Sequence, residues 1–322
     1  MVNRRDFIAA FSAAALTGCV TDRKNAVPAA KPGRPRFHVF SKMFQPPVTR
    51  SPEELCDLMA AAGFDGVQWT VRKGGHATAE NAKVELPRLV KMCEARGLKC
   101  ESICTDITAD AIARPGLSPR AADTLRVAAD CGITSFRTAY YFYDVKSETF
   151  RQSMSRFRGG FGKLADLCEK TGVKAAYQNH SSWGPSVFGG LVWDVYECIK
   201  DIDPAYIGLE YDPMHAFYET NLSWSHGLEL IAPWIVSVDL KDFHYRVDPK
   251  DQRKMKKKMV GAGAGIVPWR ETKRLLDLHG VDPLYIVHFE YDFDKTNLPL
   301  TLKRELRHFR SVFSPNTGNK GA

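Results

Sequence analysis

From Arg36 onward, short runs of β-branched and aromatic residues alternate with longer stretches whose apolar positions recur every three or four residues. The short runs predict strands at 37–41, 66–71, 99–104, 135–138, 174–178, 207–211, 235–240 and 284–289. Between them lie helix signals. Ser51-Pro52-Glu53-Glu54 supplies an N-cap, a proline at the first helical position and a glutamate three residues after the serine, and that helix stops at Gly63. Segments 86–97 and 157–172 keep the helical spacing and also end in glycine, followed at once by a β-type run. Regular alternation of strand and helix implies a parallel sheet, and eight such units predict an α/β fold closed into a (β/α)8 TIM barrel. An open doubly wound sheet would carry a glycine-rich phosphate turn after an early strand, and none is present. Gly261-Ala262-Gly263-Ala264-Gly265 follows a basic, helix-poor segment, so it reads as a flexible loop over the barrel mouth and not as a dinucleotide fingerprint.

The 322 residues leave room for one large barrel, assigned to residues 36–313. An apolar fraction of 44% and a charged fraction of 25% argue against disordered and membrane-embedded classes. The first residues differ from the rest. Asn3-Arg4-Arg5-Asp6-Phe7 opens a short apolar run that ends in Leu16-Thr17-Gly18-Cys19. The paired arginines resemble a twin-arginine export signal, and Leu-Thr-Gly-Cys resembles a lipobox whose cysteine receives lipid. Residues 1–19 are therefore expected to be an export signal, 20–35 a tether and 314–322 a disordered tail. That expectation makes the protein periplasmic or outer-surface, touching the membrane only through a lipid on Cys19. The remaining cysteines form no C-x-x-C pair and sit among apolar neighbours, as buried thiols do. The formal charge of +8 lies partly in the leader and partly in Arg253-Lys254-Met255-Lys256-Lys257-Lys258. So local an excess reads as a solvated loop, or as a lid that attracts an anionic substrate, and not as a nucleic-acid surface.

Barrel chemistry collects at the carboxyl ends of the strands, where the loops converge. Those ends offer Lys42, Gln68 with Arg72, Glu101 with Asp106, Arg137, Gln178-Asn179-His180, Asp212 with His215, Asp239 with Lys241 and Asp242, and Glu290. Aromatic side chains suited to sugar faces include Trp69, Tyr140, Tyr141, Trp183, Trp193 and Trp224.

Tyr177-Gln178-Asn179-His180 after the fifth strand, Asp212-Pro213-Met214-His215 after the sixth and Leu240-Lys241-Asp242 after the seventh resemble, in that order, the sugar phosphate isomerase/epimerase family of xylose isomerase-like barrels. Gly63-Phe64-Asp65-Gly66-Val67-Gln68 resembles the family's early segment, where a glutamate often stands at Gln68. The resemblance implies one divalent metal held by Gln178 or its neighbour His180, Asp212, Asp239 and Glu290. Two of these depart from the family pattern: Gln178 offers only a neutral carbonyl oxygen in place of a carboxylate, and Asp239 replaces a histidine. Both shift the preference toward manganese or magnesium over zinc. Lys241 or Arg137 could instead neutralise the carboxylates without a metal. The resemblance further implies proton abstraction next to a carbonyl of a sugar or keto-sugar. Glu290 would be the base, with the metal or Lys241 as electrophile and His180 and His215 moving protons or holding hydroxyls. Arg137, Gln68, Arg72, Glu101, Trp183 and Asn179 are the expected contacts to a small carbohydrate. Since Gln178 cannot be a second base, isomerisation or keto-glycoside elimination gains over two-base epimerisation. The alternatives are a non-catalytic carbohydrate-binding barrel and an apurinic-site endonuclease.

Overall fold

The computed structural model describes residues 33–110, 116–181 and 186–314. The segment expected to be an export signal, most of the expected tether, Trp183 and the residues beyond Ser314 lie outside the described residues. Strands β1 (Arg36–Phe40), β2 (Gly66–Val71), β3 (Ser102–Thr105), β4 (Ser135–Arg137), β5 (Lys174–Gln178), β6 (Ile207–Tyr211) and β7 (Ile235–Leu240) follow in chain order. A hairpin, β8 (Asp242–Asp248) and β9 (Asp251–Val260), precedes β10 (Leu284–Val287). The seven strands and β10 close into a parallel barrel, with β10 between β7 and β1. Phe37 pairs with Tyr285 across the closing seam, and Val39 with Val67 on the other side. These strands are covered on both faces, which is why they appear in the sequence as nearly continuous apolar runs.

Helix α1 (Pro52–Ala62) is capped as its sequence predicts: the Ser51 hydroxyl accepts from the Glu54 N–H, and Gly63 takes a left-handed φ of 91°. Helix α2 (Ala82–Glu94) leads to β3, and α3 (Ala121–Asp130) leads to β4. Helix α4 (Phe150–Thr171) starts seven residues before the expected 157, where Thr149 and Gln152 form a capping box. Helix α5 (Val192–Ile199) precedes β6; α6 (Pro213–Thr220) and α7 (Trp224–Ile231) precede β7; α8 (Trp269–Leu278) precedes β10; α9 (Leu298–Phe313) ends the barrel. Among the described residues, no helix is long and apolar enough to cross a membrane.

Trp69, Tyr141 and Trp224 belong to the buried core between barrel and helices, so three of the rings proposed for sugar faces serve packing instead. Tyr141 sits among Phe157, Phe161, Tyr177 and Phe188. Each such ring stabilises the fold by roughly 1.5–3 kcal/mol through burial. The described cysteines are free and buried, apart from Cys131, which is half-buried.

The structure corrects two expectations. The basic segment is an ordered antiparallel ribbon, pairing Tyr245 with Lys257 and Phe243 with Met259. Phe243, Tyr245 and Met259 on one face of the ribbon pack against the core, while the lysine run of β9 carries no such signal in the sequence. The glycine stretch after it is pinned, not loose: the backbone N–H groups of Gly263, Gly265 and Val267 and the Trp269 indole all donate to the Asp242 carboxylate at 3.2 Å. Asp242 is thus an anchor for the hairpin base, not a pocket residue.

Candidate active site

Side chains two apart on a strand share a face, so Glu210 and Asp212, and Asp239 and Lys241, form successive levels inside the barrel mouth. On the deeper level the Glu210 carboxylate accepts from Gln68 Nε2 at 2.7 Å and from Arg137 Nη1 at 3.2 Å. Burial pushes Glu210 up to about 7, with Asp239 adding to the shift and Arg137 opposing it. His288 Nε2 stands 3.1 Å from Asp239 Oδ1. Burial acts to lower the His288 pKa, but the charge and hydrogen bond of Asp239, and Glu290 beyond it, raise it overall.

On the upper level the Gln178 amide donates to both Asp212 and Asp239, and its oxygen accepts from the Tyr140 hydroxyl. Lys241 Nζ lies 2.9 Å from Asp212 Oδ2 and 3.2 Å from Glu290 Oε2. Lys42 reaches Glu290 from the other side at 3.4 Å. Burial would raise the Glu290 pKa, yet Lys241, then His288 and Lys42, hold it far below the usual carboxylate range. Burial likewise works against the Lys241 charge, but Asp212, Glu290 and Asp239 raise its pKa and keep it an ammonium.

Asp212 also caps α6, accepting from the His215 N–H at 3.1 Å, which brings His215 beside the site. The rings of His215 and His180 lie 3.7 Å apart. Burial, then the nearby Lys241, pushes His180 down to about 2 and His215 well below its ordinary value, so both are neutral imidazoles. Ser181 Oγ sits 2.7 Å from His215 Nδ1 and accepts from Lys257 of β9. A cavity of about 510 Å³ opens here, lined by His180, Met214, His215, Tyr218, Lys256, Lys257, Met259 and Glu290.

The chain's similarities agree with this architecture. The family model described as xylose isomerase-like TIM barrel matches residues 56–312. The chain belongs to the xylose isomerase-like TIM barrel family. No curated protein sequence matches it. D-psicose 3-epimerase from Clostridium cellulolyticum H10, solved with D-tagatose, is 11% identical with a TM-score of 0.63, covering 87% of this chain and all of that one. The 3-keto-D-glucoside 4-epimerase of E. coli is 10% identical with a TM-score of 0.63, covering 85% of this chain and 100% of that one. A xylose isomerase-like TIM barrel protein from Mycobacterium smegmatis, solved with magnesium, is 15% identical with a TM-score of 0.60, covering 87% and 98%. At such identities the likeness establishes the fold alone.

Against this xylose isomerase-like frame, the predicted residues divide. Gln178, Asp212, Asp239, Lys241, Glu290, His180 and His215 come together at the mouth. Gln68 and Arg137 form its floor around Glu210, and Arg72, just past β2, lies with its guanidinium 6.0 Å from the Phe40 ring centre. Glu101 does not join them: β3 begins only at Ser102, which leaves Glu101 at the amino end of the barrel with Arg36 and His38. Asn179 is turned to structural use, its amide donating to the Asp212 carbonyl at 3.0 Å and accepting from the Asp212 N–H at 2.7 Å. Sequence reading missed Glu210, His288, Ser181 and the placement of Lys257. The first two had a signal, an ionisable residue inside a run that must be buried.

Whether the barrel's residues suit a metal ion depends on which set is asked. Among the described residues, Glu210, Asp239 and His288 bring ligand atoms within 4.8 Å of one another and can hold an ion. The set implied by family resemblance, Gln178, Asp212, Asp239 and Glu290, is satisfied differently. The Lys241 ammonium stands between Asp212 and Glu290, and the Gln178 amide bridges Asp212 and Asp239. As arranged, that set does not fit a metal.

Proposed function

We propose that the protein is a carbohydrate enzyme that removes a proton next to a carbonyl of a sugar or keto-sugar, and that isomerisation or keto-glycoside elimination follows. One observation carries this reading: an ionised Glu290 on the cavity wall is hydrogen-bonded to a buried ammonium, Lys241, beside two neutral imidazoles. Carbanion formation needs a base near the acidic carbon and a positive group on the carbonyl oxygen, where charge develops. Glu290 is the base and Lys241 the electrophile.

Held by Lys241, Glu290 is a weak base in the resting site. When the substrate carbonyl takes the Lys241 N–H, the carboxylate loses its strongest partner and its proton affinity rises as the enolate forms. His180 and His215, uncharged, can give or accept a proton at a hydroxyl without a separate deprotonation step. Lys256, Lys257 and Met259 from the hairpin form one wall of the cavity. Asp212, fixed by Asn179 and by the α6 amino end, aims Lys241.

A second reading, a sugar-binding barrel without turnover, draws on Gln178, an amide where the resemblance implies a carboxylate. Proton exchange separates the two. Keto-sugars incubated with the protein in D2O should gain deuterium next to the carbonyl, observed by NMR. Glu290→Gln should slow this by about 10²–10⁴-fold while sugar binding persists. Exchange at the wild-type rate in Glu290→Gln would remove Glu290 as the base, and binding without exchange in the wild type would leave the second reading.

A further inference from the structure

The hairpin brings one particular cation to the mouth. Lys257, from the ninth strand, lines the same cavity as Glu290, with its ammonium on Ser181 Oγ and 5.0 Å from the centre of the Tyr218 ring. Five other cations of the ribbon and the mouth are engaged. Lys256 pairs with Asp248 at 2.8 Å, Arg253 and Lys254 with Asp251, Lys241 with Asp212 and Glu290, and Arg137 with Glu210. Among the described residues no carboxylate stands within ion-pair distance of Lys257; Asp212, Glu219 and Glu290 act on it only from farther away. An ammonium has three N–H groups, and the Ser181 hydroxyl takes one. The remaining donors of a largely desolvated cation, set in a concave site, suit an anion supplied by the ligand.

We propose that the substrate is a sugar acid whose carboxylate is held by Lys257, on the hairpin, while its carbonyl end reaches Lys241 and Glu290 on the upper level of the barrel mouth. This rests on the carbohydrate reading above and narrows it. A carboxylate is favoured over a phosphate by charge count. A single ammonium without a carboxylate partner matches one negative charge, whereas a phosphate dianion calls for an arginine fork, a helix amino end or several cations. Glu290 in the same cavity and Glu219 nearby would repel the second charge. With the cation on the hairpin and the base on the barrel, the carboxylate end and the carbonyl end of the sugar are told apart.

The test is calorimetric binding to the full chain of hexuronates, their parent aldoses and the corresponding hexose 6-phosphates. Hexuronates should bind roughly ten- to a hundredfold tighter than the parent aldoses, the range of a charge-assisted hydrogen bond. Lys257→Met should bring the uronate down to the level of its parent aldose. Lys254→Met, on the same ribbon but at its exposed edge, should retain the preference. Aldoses binding as tightly as uronates, phosphates binding tighter than uronates, or a preference that survives in Lys257→Met would each overturn the carboxylate handle while leaving a carbohydrate site. Failure of every sugar to bind would overturn both. A uronate preference in a protein that exchanges no deuterium would keep the handle and remove the catalytic reading.

Discussion

At the scale of single residues, strand position decides role. Asp212, Asp239, Lys241 and Glu290 were legible because each ends an apolar run that must be buried, and parallel register brings such ends to one face. Glu101 was misplaced for the same reason in reverse: the run 99–104 starts three residues before β3 does, so a residue expected at the carboxyl end lies at the opposite mouth. There it is structural. The facing His38, then Arg36 after the opposing effect of burial, lowers its pKa. A carboxylate with a folded pKa below its unfolded value of roughly 4.3 stabilises the fold above that pH. The gain is lost as the pH falls through the folded pKa. Glu101→Gln should therefore be less stable than wild type near neutrality, with the gap in urea midpoint closing on acidification and sugar affinity unchanged. A gap that widens in acid would reverse the sign of the argument, and lost sugar affinity would return Glu101 to the site.

At the scale of elements, the eight barrel strands and their glycine-stopped helices announced themselves, whereas the hairpin did not. In β8 Phe243, Tyr245 and Val247 do alternate with His244 and Arg246, but β9 is a mostly exposed lysine run with neither alternation nor an apolar stretch, so only half of the ribbon was marked. What the sequence did carry was Gly261 to Gly265, whose purpose is now visible. A Cβ on Gly265 would fall 2.0 Å from Asp242 Oδ1 and 2.6 Å from the Phe243 carbonyl oxygen. Gly265→Ala must displace the Asp242 anchor. The expected cost is about 1–3 kcal/mol in chemical denaturation, with weaker substrate binding because β9 carries the lysines of the cavity wall. Gly159→Ala supplies the contrast. That glycine is exposed within α4, and a Cβ there meets nothing within 4 Å. Alanine should stabilise the helix by about 0.5–1 kcal/mol. If both substitutions behave alike, backbone crowding at Asp242 is not what holds the hairpin.

At the scale of the whole molecule, the barrel mouth is a charge lattice. Four carboxylates, Glu210, Asp212, Asp239 and Glu290, face Arg137, Lys241, Lys42 and a His288 raised toward its protonated form. Four formal negatives thus meet four positives, and the balance turns on Lys241, buried between two of the acids. If Lys241 fills the place that a divalent cation would need among Asp212, Asp239 and Glu290, dialysis against a chelator should leave deuterium exchange within about twofold of its starting rate. Added Mn2+ or Mg2+ should not raise the unfolding midpoint of the wild type. Lys241→Met should then abolish exchange and cost about 3–5 kcal/mol, the loss expected when a buried pair is broken from one side. Unlike the wild type, this variant should recover stability when Mn2+ is added, because the cation restores charge to carboxylates left facing one another. Loss of wild-type activity on chelation, or one equivalent of metal in protein purified without it, would show that an ion and not Lys241 governs the mouth. The Glu210–Asp239–His288 group would then be the place to look for it.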